Sequence, residues 1–549
     1  MALLQKTIGE MVKEQAKTYP HVEAYVYPEH GVRKTYQEFD KETDTLAKAF
    51  IGMGIEKGEH VAIWSDNKRE WLLSQYATGK MGAALVTVNT NYQAAELEYL
   101  LQQSESTTLI LDESFKGTSY IDIIRSICPE VNEGQRGVIQ SKKLPYLKRI
   151  ILMTEREEVG MYKWSDLLAH AESVSDEELE ERLTSLHPDD VINIQYTSGT
   201  TGFPKGVMLT HNNIVNNGKI IGDRMKLTEK DRVCIPVPFF HCFGCVLGTL
   251  AAVTHGSTMV VIEQFDAKKV LQAVQDEKCT ALHGVPTMFI AELNDPDFEK
   301  YDTSSLRTGI MAGSTCPIEV MRRVIEDMGA SEITICYGQT EASPVITQTT
   351  TNDPIEKRTS TVGKPHPYVE VRVVNPTTNK DVEVGEPGEL WTRGYHVMKG
   401  YYNNEEATRE AINEDGWLRT GDLAVMDEGG YIDVTGRIRD MVIRGGENIY
   451  PREIEEFLYK HPGVEDVQVV GVPDPKYGEE LMAWIIPKKG VEIDAASVKA
   501  FCEGNISYYK IPRYVEFTDS YPMTASGKIM KFKLQEMSEK LAITESQKA

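Results

Sequence analysis

Between Tyr196 and Val207 the chain reads Tyr-Thr-Ser-Gly-Thr-Thr-Gly-Phe-Pro-Lys-Gly-Val, a crowd of hydroxyls and glycines around one cation. The hydroxyls stand at Thr197, Ser198, Thr200 and Thr201, the bare backbone at Gly199 and Gly202, and the ammonium at Lys205. Small residues let successive N–H groups turn towards an anion, the geometry that cradles phosphates. Lys205 adds the charge that a polyphosphate needs and a neutral loop lacks. The spacing departs from the Walker pattern, in which Ser or Thr follows the lysine. Here Gly206 follows, so no hydroxyl is placed there for a magnesium ion. Clusters of Thr, Ser, Gly and Pro also mark ordinary turns, and the segment by itself leaves both readings open. The preceding run Val191-Ile-Asn-Ile-Gln195 has strand character, so the cluster reads as a loop leaving a β-strand.

The whole string closely resembles the phosphate loop of the adenylate-forming enzymes: acyl-CoA synthetases, aryl-CoA ligases, luciferases and peptide-synthetase adenylation domains. Further motifs of that superfamily follow in its order: Tyr337-Gly338-Gln339-Thr340-Glu341, Thr420-Gly421-Asp422, Gly436-Arg437-Ile438-Arg439-Asp440 and Ser526-Gly527-Lys528. The resemblance spans nearly the full chain and is greatest to medium-chain fatty acyl-CoA synthetases. It implies two half-reactions. A carboxylate and ATP give an acyl-adenylate and pyrophosphate, and coenzyme A then displaces AMP.

Residue roles follow from the same resemblance. The 197–205 loop would hold the β- and γ-phosphates. Tyr337, with Gly338 beside it, would pack on adenine, and the backbone of Gly313 and Ser314 would cover its other face. Thr340 would hydrogen-bond the α-phosphate, and Glu341 would hold Mg2+, a hard ion that prefers carboxylate oxygen. Asp422 would accept both ribose hydroxyls, with Arg437 beside it. Lys528 would bridge the substrate carboxylate and the α-phosphate as charge develops. Coenzyme A must reach the carbonyl that Lys528 guards, so the C-terminal unit is expected to swing about Arg439. The face bearing Arg444-Gly445-Gly446-Glu447 would then turn inward, its two glycines leaving room for a pantetheine arm.

Candidate acyl-pocket residues are His241, Phe243, Val246, Val285, Met288, Phe289, Met311 and Cys316, with His241 also a catalytic candidate. The loop Pro238-Phe-Phe-His-Cys-Phe-Gly244 carries no carboxylate to pair with a substrate ammonium, which disfavours an amino acid. A fatty acid is the expected substrate and an aryl acid the alternative. A luciferase, which would need a special luciferin, stands further off as a fold-level analogy, and a non-catalytic adenylate-binding sensor is disfavoured because Lys528, Glu341 and Asp422 are all present. Cys242-Phe-Gly-Cys245 after His241 has metal-site spacing but lacks a second ligand pair, and the resemblance implies that the cysteines are small apolar wall residues beside the acyl pocket.

The elements that must position these groups are read from length and pattern. At 549 residues the chain exceeds one core. Short β-branched runs such as His60–Trp64, 84–88, 107–111 and 149–153 alternate with helix-length segments and imply parallel sheets. The expected class is α/β. A large N-terminal domain, 1–437, would hold two parallel-sheet α/β subdomains, 1–184 and 185–350. A small antiparallel β-barrel, 351–437, would complete it, with a hairpin turning at Asp427-Glu-Gly-Gly430. An α+β C-terminal domain, 438–549, would follow, and the resemblance implies that it is mobile about a hinge near Arg439.

A net charge of −24 argues against nucleic-acid or anionic-membrane partners. The run Cys242–Ile262 lacks Asp, Glu, Lys and Arg, but its glycines suit a buried helix, a turn and a strand better than a membrane span. Residues 1–20 mix Lys and Glu without an apolar core, and eight scattered cysteines suit a reducing compartment. A cytoplasmic monomer or homodimer is the expectation.

Overall fold

The computed structural model describes residues 2–133, 136–197, 204–314, 316–444, 447–503 and 505–546. Among these residues the strands form one nine-stranded, one seven-stranded, one four-stranded and one five-stranded sheet, with a small two-stranded ribbon. The β-branched runs become the parallel strands His60–Trp64, Ala84–Thr87, Thr108–Leu111 and Arg149–Leu152. Helices cover such sheets on both faces, so the strands are apolar at nearly every position rather than at alternate ones.

The two large sheets exchange strands along the chain. Val191–Thr197 and Lys205–Thr210 extend the seven-stranded sheet, while Glu23–Tyr27 and Val32–Thr35 join the far edge of the nine-stranded one. The sheets therefore do not part at 184/185, where the sequence texture suggests a division. Local pattern marks a strand but carries no information about which distant strand it pairs with.

In the nine-stranded sheet Ala281–Gly284, Thr308–Met311 and Thr334–Gly338 run parallel to one another. Their carboxyl ends release Val285, Gly313 and the Gln339–Glu341 turn side by side, the usual ligand-binding edge of an open α/β sheet. The β-rich part is an antiparallel sheet of Val369–Val374, Gly388–Gly394, Leu418–Met426 and Ile432–Arg437. Its last two strands form the hairpin expected around residues 427–430.

The C-terminal unit pairs Val464–Asp474 with Gly478–Pro487 and buries Ile454 and Leu458 of the helix Pro451–Leu458 against them. Its last helix, Lys531–Ser546, is fixed by Leu534 and by Trp484 Nε1 donating to Ser538 Oγ at 2.8 Å.

The uncharged run after Cys242 resolves into a π-helix, Phe243–Leu250, then Ala251–Val253 and the strand Thr258–Val261. The Cys245 carbonyl accepts from Thr249 Oγ1 at 2.7 Å and from Gln75 Nε2 at 2.9 Å. Those side chains take the lone pairs that a regular i−4 backbone bond would use, which favours the wider turn. Among the described residues no helix is long and apolar enough to cross a membrane.

The π-helix fixes the loop that carries His241 through one close approach. A Cβ on Gly244 would lie 2.2 Å from the Pro238 carbonyl oxygen and 2.8 Å from Phe239 Cα. Both are backbone atoms that cannot yield cheaply. At Gly248 the nearest atom, at 2.9 Å, is a side-chain carbon of Ile235 that can move. Gly244→Ala is therefore expected to destabilise the protein by about 3 kcal/mol in denaturant unfolding, and Gly248→Ala by distinctly less. Equal stabilities for the two variants would contradict this packing.

Candidate active site

At the end of strand Val191–Thr197, Thr197 Oγ1 donates to Glu341 Oε1 at 3.4 Å, joining the start of the 197–205 segment to the Gln339–Glu341 turn. The same Glu341 oxygen accepts from Tyr401 OH at 2.9 Å. Lys205 lies over the ring of that tyrosine, its Nζ 4.3 Å from the centroid. One aromatic side chain thus holds the loop cation by its face and the acidic group by its hydroxyl. Thr340 is buried in the short turn Thr340–Ala342 that opens just after Gly338. Ser198, Gly199, Thr200, Thr201 and Gly202 lie outside the described residues, as do Gly445 and Gly446.

The opposite wall comes from the antiparallel sheet. Asp422 Oδ2 accepts from Tyr337 OH at 2.6 Å, and Arg437 Nε stands 3.6 Å from Oδ1. Burial raises the Asp422 carboxyl above its ordinary pKa despite the guanidinium of Arg437. Arg437 itself remains about half exposed. Arg439 reaches Asp440 at 3.5 Å in the turn Ile438–Asp440, between the hairpin and the C-terminal unit.

Lys528 enters from that unit. Its Nζ lies 3.3 Å from His241 Nε2. Gly313 adopts φ +96°, and a Cβ there would meet Lys528 Cε and Val285 Cγ1, each at 3.1 Å. Glycine at 313 therefore serves both a left-handed turn and the passage of the lysine stem. Burial, helped by the nearby Arg437, lowers the Lys528 ammonium to about 8. It still keeps most of its charge at neutral pH. Burial and the adjoining ammonium of Lys528 hold His241 well below the usual histidine range, so the ring is neutral. Its Nδ1 accepts from the Phe243 N–H at 3.2 Å.

The expected acyl-pocket residues separate into two groups. Phe243, Val246, Val285 and Met288 share the cluster on the His241 side, whereas Phe289, Met311 and Cys316 belong to the core on the other face of the sheet. Met288 and Phe289 are helix neighbours roughly 100° apart, and Ile310 and Met311 alternate across a strand. Phe289 packs beneath Gly284, where a Cβ would meet its ring at 2.9 Å. Ser314 and Gly313 stay exposed beyond the strand end.

Two further residues belong to the site. Tyr401 links Lys205 to Glu341, and Thr287 Oγ1 donates to the Gly527 carbonyl at 2.8 Å, docking the lysine loop. Neither has a spacing signature. Tyr401 stands in a plain Gly-Tyr-Tyr-Asn-Asn run, and Thr287 begins an apolar helix. Cys242 and Cys245 are both buried, and among the described residues no group of three His, Cys, Asp or Glu side chains could hold a metal.

Tyr401→Phe keeps the ring under Lys205 and removes the bond to Glu341. A hydrogen bond to a carboxylate contributes about 1.5–3 kcal/mol, so ATP–pyrophosphate exchange should fall roughly tenfold or more. The loss should be greatest at limiting magnesium. Exchange unchanged at every magnesium concentration would show that the bond does not position Glu341.

Comparison with known proteins shows the family of the chain. Residues 12–402 match the AMP-binding enzyme family, and residues 453–528 match the AMP-binding enzyme C-terminal domain. The chain is 60% identical over 534 residues to a protein named as an acyl-CoA synthetase, YngI of Bacillus subtilis (strain 168), covering 97% of each chain. It is 42% identical to the mitochondrial medium-chain acyl-CoA ligase ACSF2 of Bos taurus, covering 98% of this chain and 88% of that one. Its fold matches the crystal structure of the anthranilate CoA ligase AuaEII in complex with anthranoyl-AMP, with TM-score 0.84, 26% identity and 99% of both chains covered. The chain belongs to the AMP-binding enzyme family, among the acyl-CoA synthetases.

Proposed function

We propose that the chain is a medium-chain fatty acyl-CoA synthetase, converting a fatty acid, ATP and coenzyme A into acyl-CoA, AMP and pyrophosphate. The observation that carries this preference is the wall beside Lys528. Val285 touches the lysine loop, Met288 stands next to it, and Phe243 and Val246 continue the same apolar cluster. With His241 neutral, this wall has no charge to pair with a second polar group on the acid. Methionine adapts to a flexible chain better than a rigid branched residue would.

In this reading the substrate carboxylate oxygen attacks the α-phosphorus as the bond to pyrophosphate breaks. Such a step depends mostly on positioning and on neutralising charge. Lys528 would sit between the carboxylate and the α-phosphate, and Thr340 would donate to that phosphate. Lys205 and the 197–205 loop would hold the departing pyrophosphate. Tyr337 would pack on adenine, with Gly313 and Ser314 opposite, and Asp422 would take the ribose hydroxyls in place of its present Tyr337 partner. Glu341 fits magnesium, an ion usually held by one or two carboxylates plus substrate phosphate oxygens. The bound ion would neutralise charge on the triphosphate.

Lys528 must then withdraw before sulfur can attack the acyl carbonyl. The polar contacts that dock the C-terminal unit near the site are few. Besides Thr287–Gly527 they include the Ile318 N–H on Glu456 at 3.4 Å and Asn294 on Glu465 at 3.1 Å. A joint of that size suits a unit, 438–549, that rotates about Arg439 against the domain 1–437. Eight buried free thiols support a reducing, cytoplasmic setting.

An aryl-CoA ligase is the second reading, favoured by the likeness to the anthranoyl-AMP complex. A panel of acids from butyrate to palmitate, with benzoate and coumarate, separates the two. Turnover should peak among medium-chain acids and exceed that of the aryl acids by at least roughly tenfold, since each methylene fitted into an apolar wall contributes about 1 kcal/mol or more. Turnover of the aryl acids alone would overturn the aliphatic reading.

A further inference from the structure

A cavity of about 410 Å³ lies at the other end of the nine-stranded sheet, lined in part by the end of helix His211–Arg224. Arg307, just before strand Thr308–Met311, donates to the carbonyls of Met225 and Lys226 at 3.0 Å each. That places the cavity at the amino end of the strand whose carboxyl end releases Gly313. It shares no lining residue with the adenylate site and lies away from the edge where open α/β sheets usually bind ligands.

Its lining is two-sided. Leu3, Ile220, Pro367 and Tyr368 form an apolar wall, and Arg224 and Thr351 stand among the polar groups. Arg224 donates to the Pro365 carbonyl at 2.9 Å, but among the described residues no carboxylate lies within ion-pairing distance of it. Burial not balanced by a partner lowers its pKa, with Asp353 acting only from longer range. The neighbouring cations differ. Lys219 is paired with Asp223, and Lys226 donates to Asn352 at 2.7 Å.

A further observation lies on the wall of the same space. Tyr368 is 52% exposed and adopts φ +64°, a conformation that a bulky residue rarely holds without cause. In a chain with 83 acidic residues against 59 basic ones, a part-buried guanidinium left without a carboxylate is unusual.

We propose that this cavity is a second ligand site, taking a small amphiphilic anion. Its carboxylate or phosphate head would meet Arg224, and its apolar stem would lie along Leu3, Ile220, Pro367 and Tyr368. The volume falls within the roughly 300–1,000 Å³ typical of small-molecule sites. The proposal does not depend on which acid the enzyme activates.

The test uses the full chain with its adenylate site filled by a non-hydrolysable acyl-sulfamoyl adenosine. Octyl phosphate, octanoate and inorganic phosphate are then titrated calorimetrically. One equivalent of at least one of the two amphiphiles should still bind, and the tighter of them names the head group. Affinity should fall about tenfold or more in Arg224→Gln. It should fall similarly in Tyr368→Gly, which suits the local φ and so preserves the fold. Three results would each overturn the site: no saturable binding of either amphiphile, affinity unchanged in Tyr368→Gly, or inorganic phosphate binding as tightly as octyl phosphate.

Discussion

An ammonium enclosed by Gly313, Val285 and a neutral His241, with no carboxylate in ion-pairing distance among the described residues, is costly to hold, and the rest of the structure depends on that placement. Burial already draws Lys528 down to about 8. A lysine in such a position is stabilised by an incoming polyanion far more than by its own protein. In the proposed reading the cation serves the chemistry, and the fold supplies the enclosure without neutralising it.

Three constraints make the placement possible. Parallel strands end together, so Val285, Gly313 and Glu341 leave the sheet as neighbours although they are distant in sequence. The close fit of Gly244 against Pro238 sets the His241 loop, and the left-handed Gly313 leaves a channel for the lysine stem. The lysine itself arrives on a separate unit. That unit is also tied to the hairpin by Arg452, which donates to Asp433 at 2.7 Å beside the expected hinge. Under the proposed function, a fixed pocket with a removable cation would reconcile two steps that need different groups at one carbonyl. Fastening Lys528 permanently would then favour the first step and obstruct the second.

Much of this was legible because the informative signals are local. The Tyr337–Glu341 and Ser526–Lys528 motifs each include a short turn, whereas Thr420–Asp422 lies within the strand Leu418–Met426 of the small antiparallel sheet. The strand His60–Trp64, the hairpin around residues 427–430 and the helix Pro451–Leu458 fall where period and punctuation put them. Pairing between distant segments was not legible. Nothing near Glu23–Tyr27 reveals that it crosses to the sheet of residues 232–365, and nothing near Tyr401 reveals that it joins Lys205 to Glu341. The faces of the proposed acyl-wall residues were half legible. In an all-apolar stretch, type alone cannot say that Met288 faces His241's side while Phe289 faces the core behind it.

The most direct measurement takes the two half-reactions of Lys528→Ala apart. Single-turnover formation of acyl-adenylate from acid and ATP should fall by roughly 10²–10³, the usual effect of losing one preorganised charge-stabilising donor. Conversion of supplied acyl-adenylate and coenzyme A to thioester should stay within a few-fold of the unaltered protein. Adenylate formation at the normal rate, or equal damage to both steps, would contradict the account.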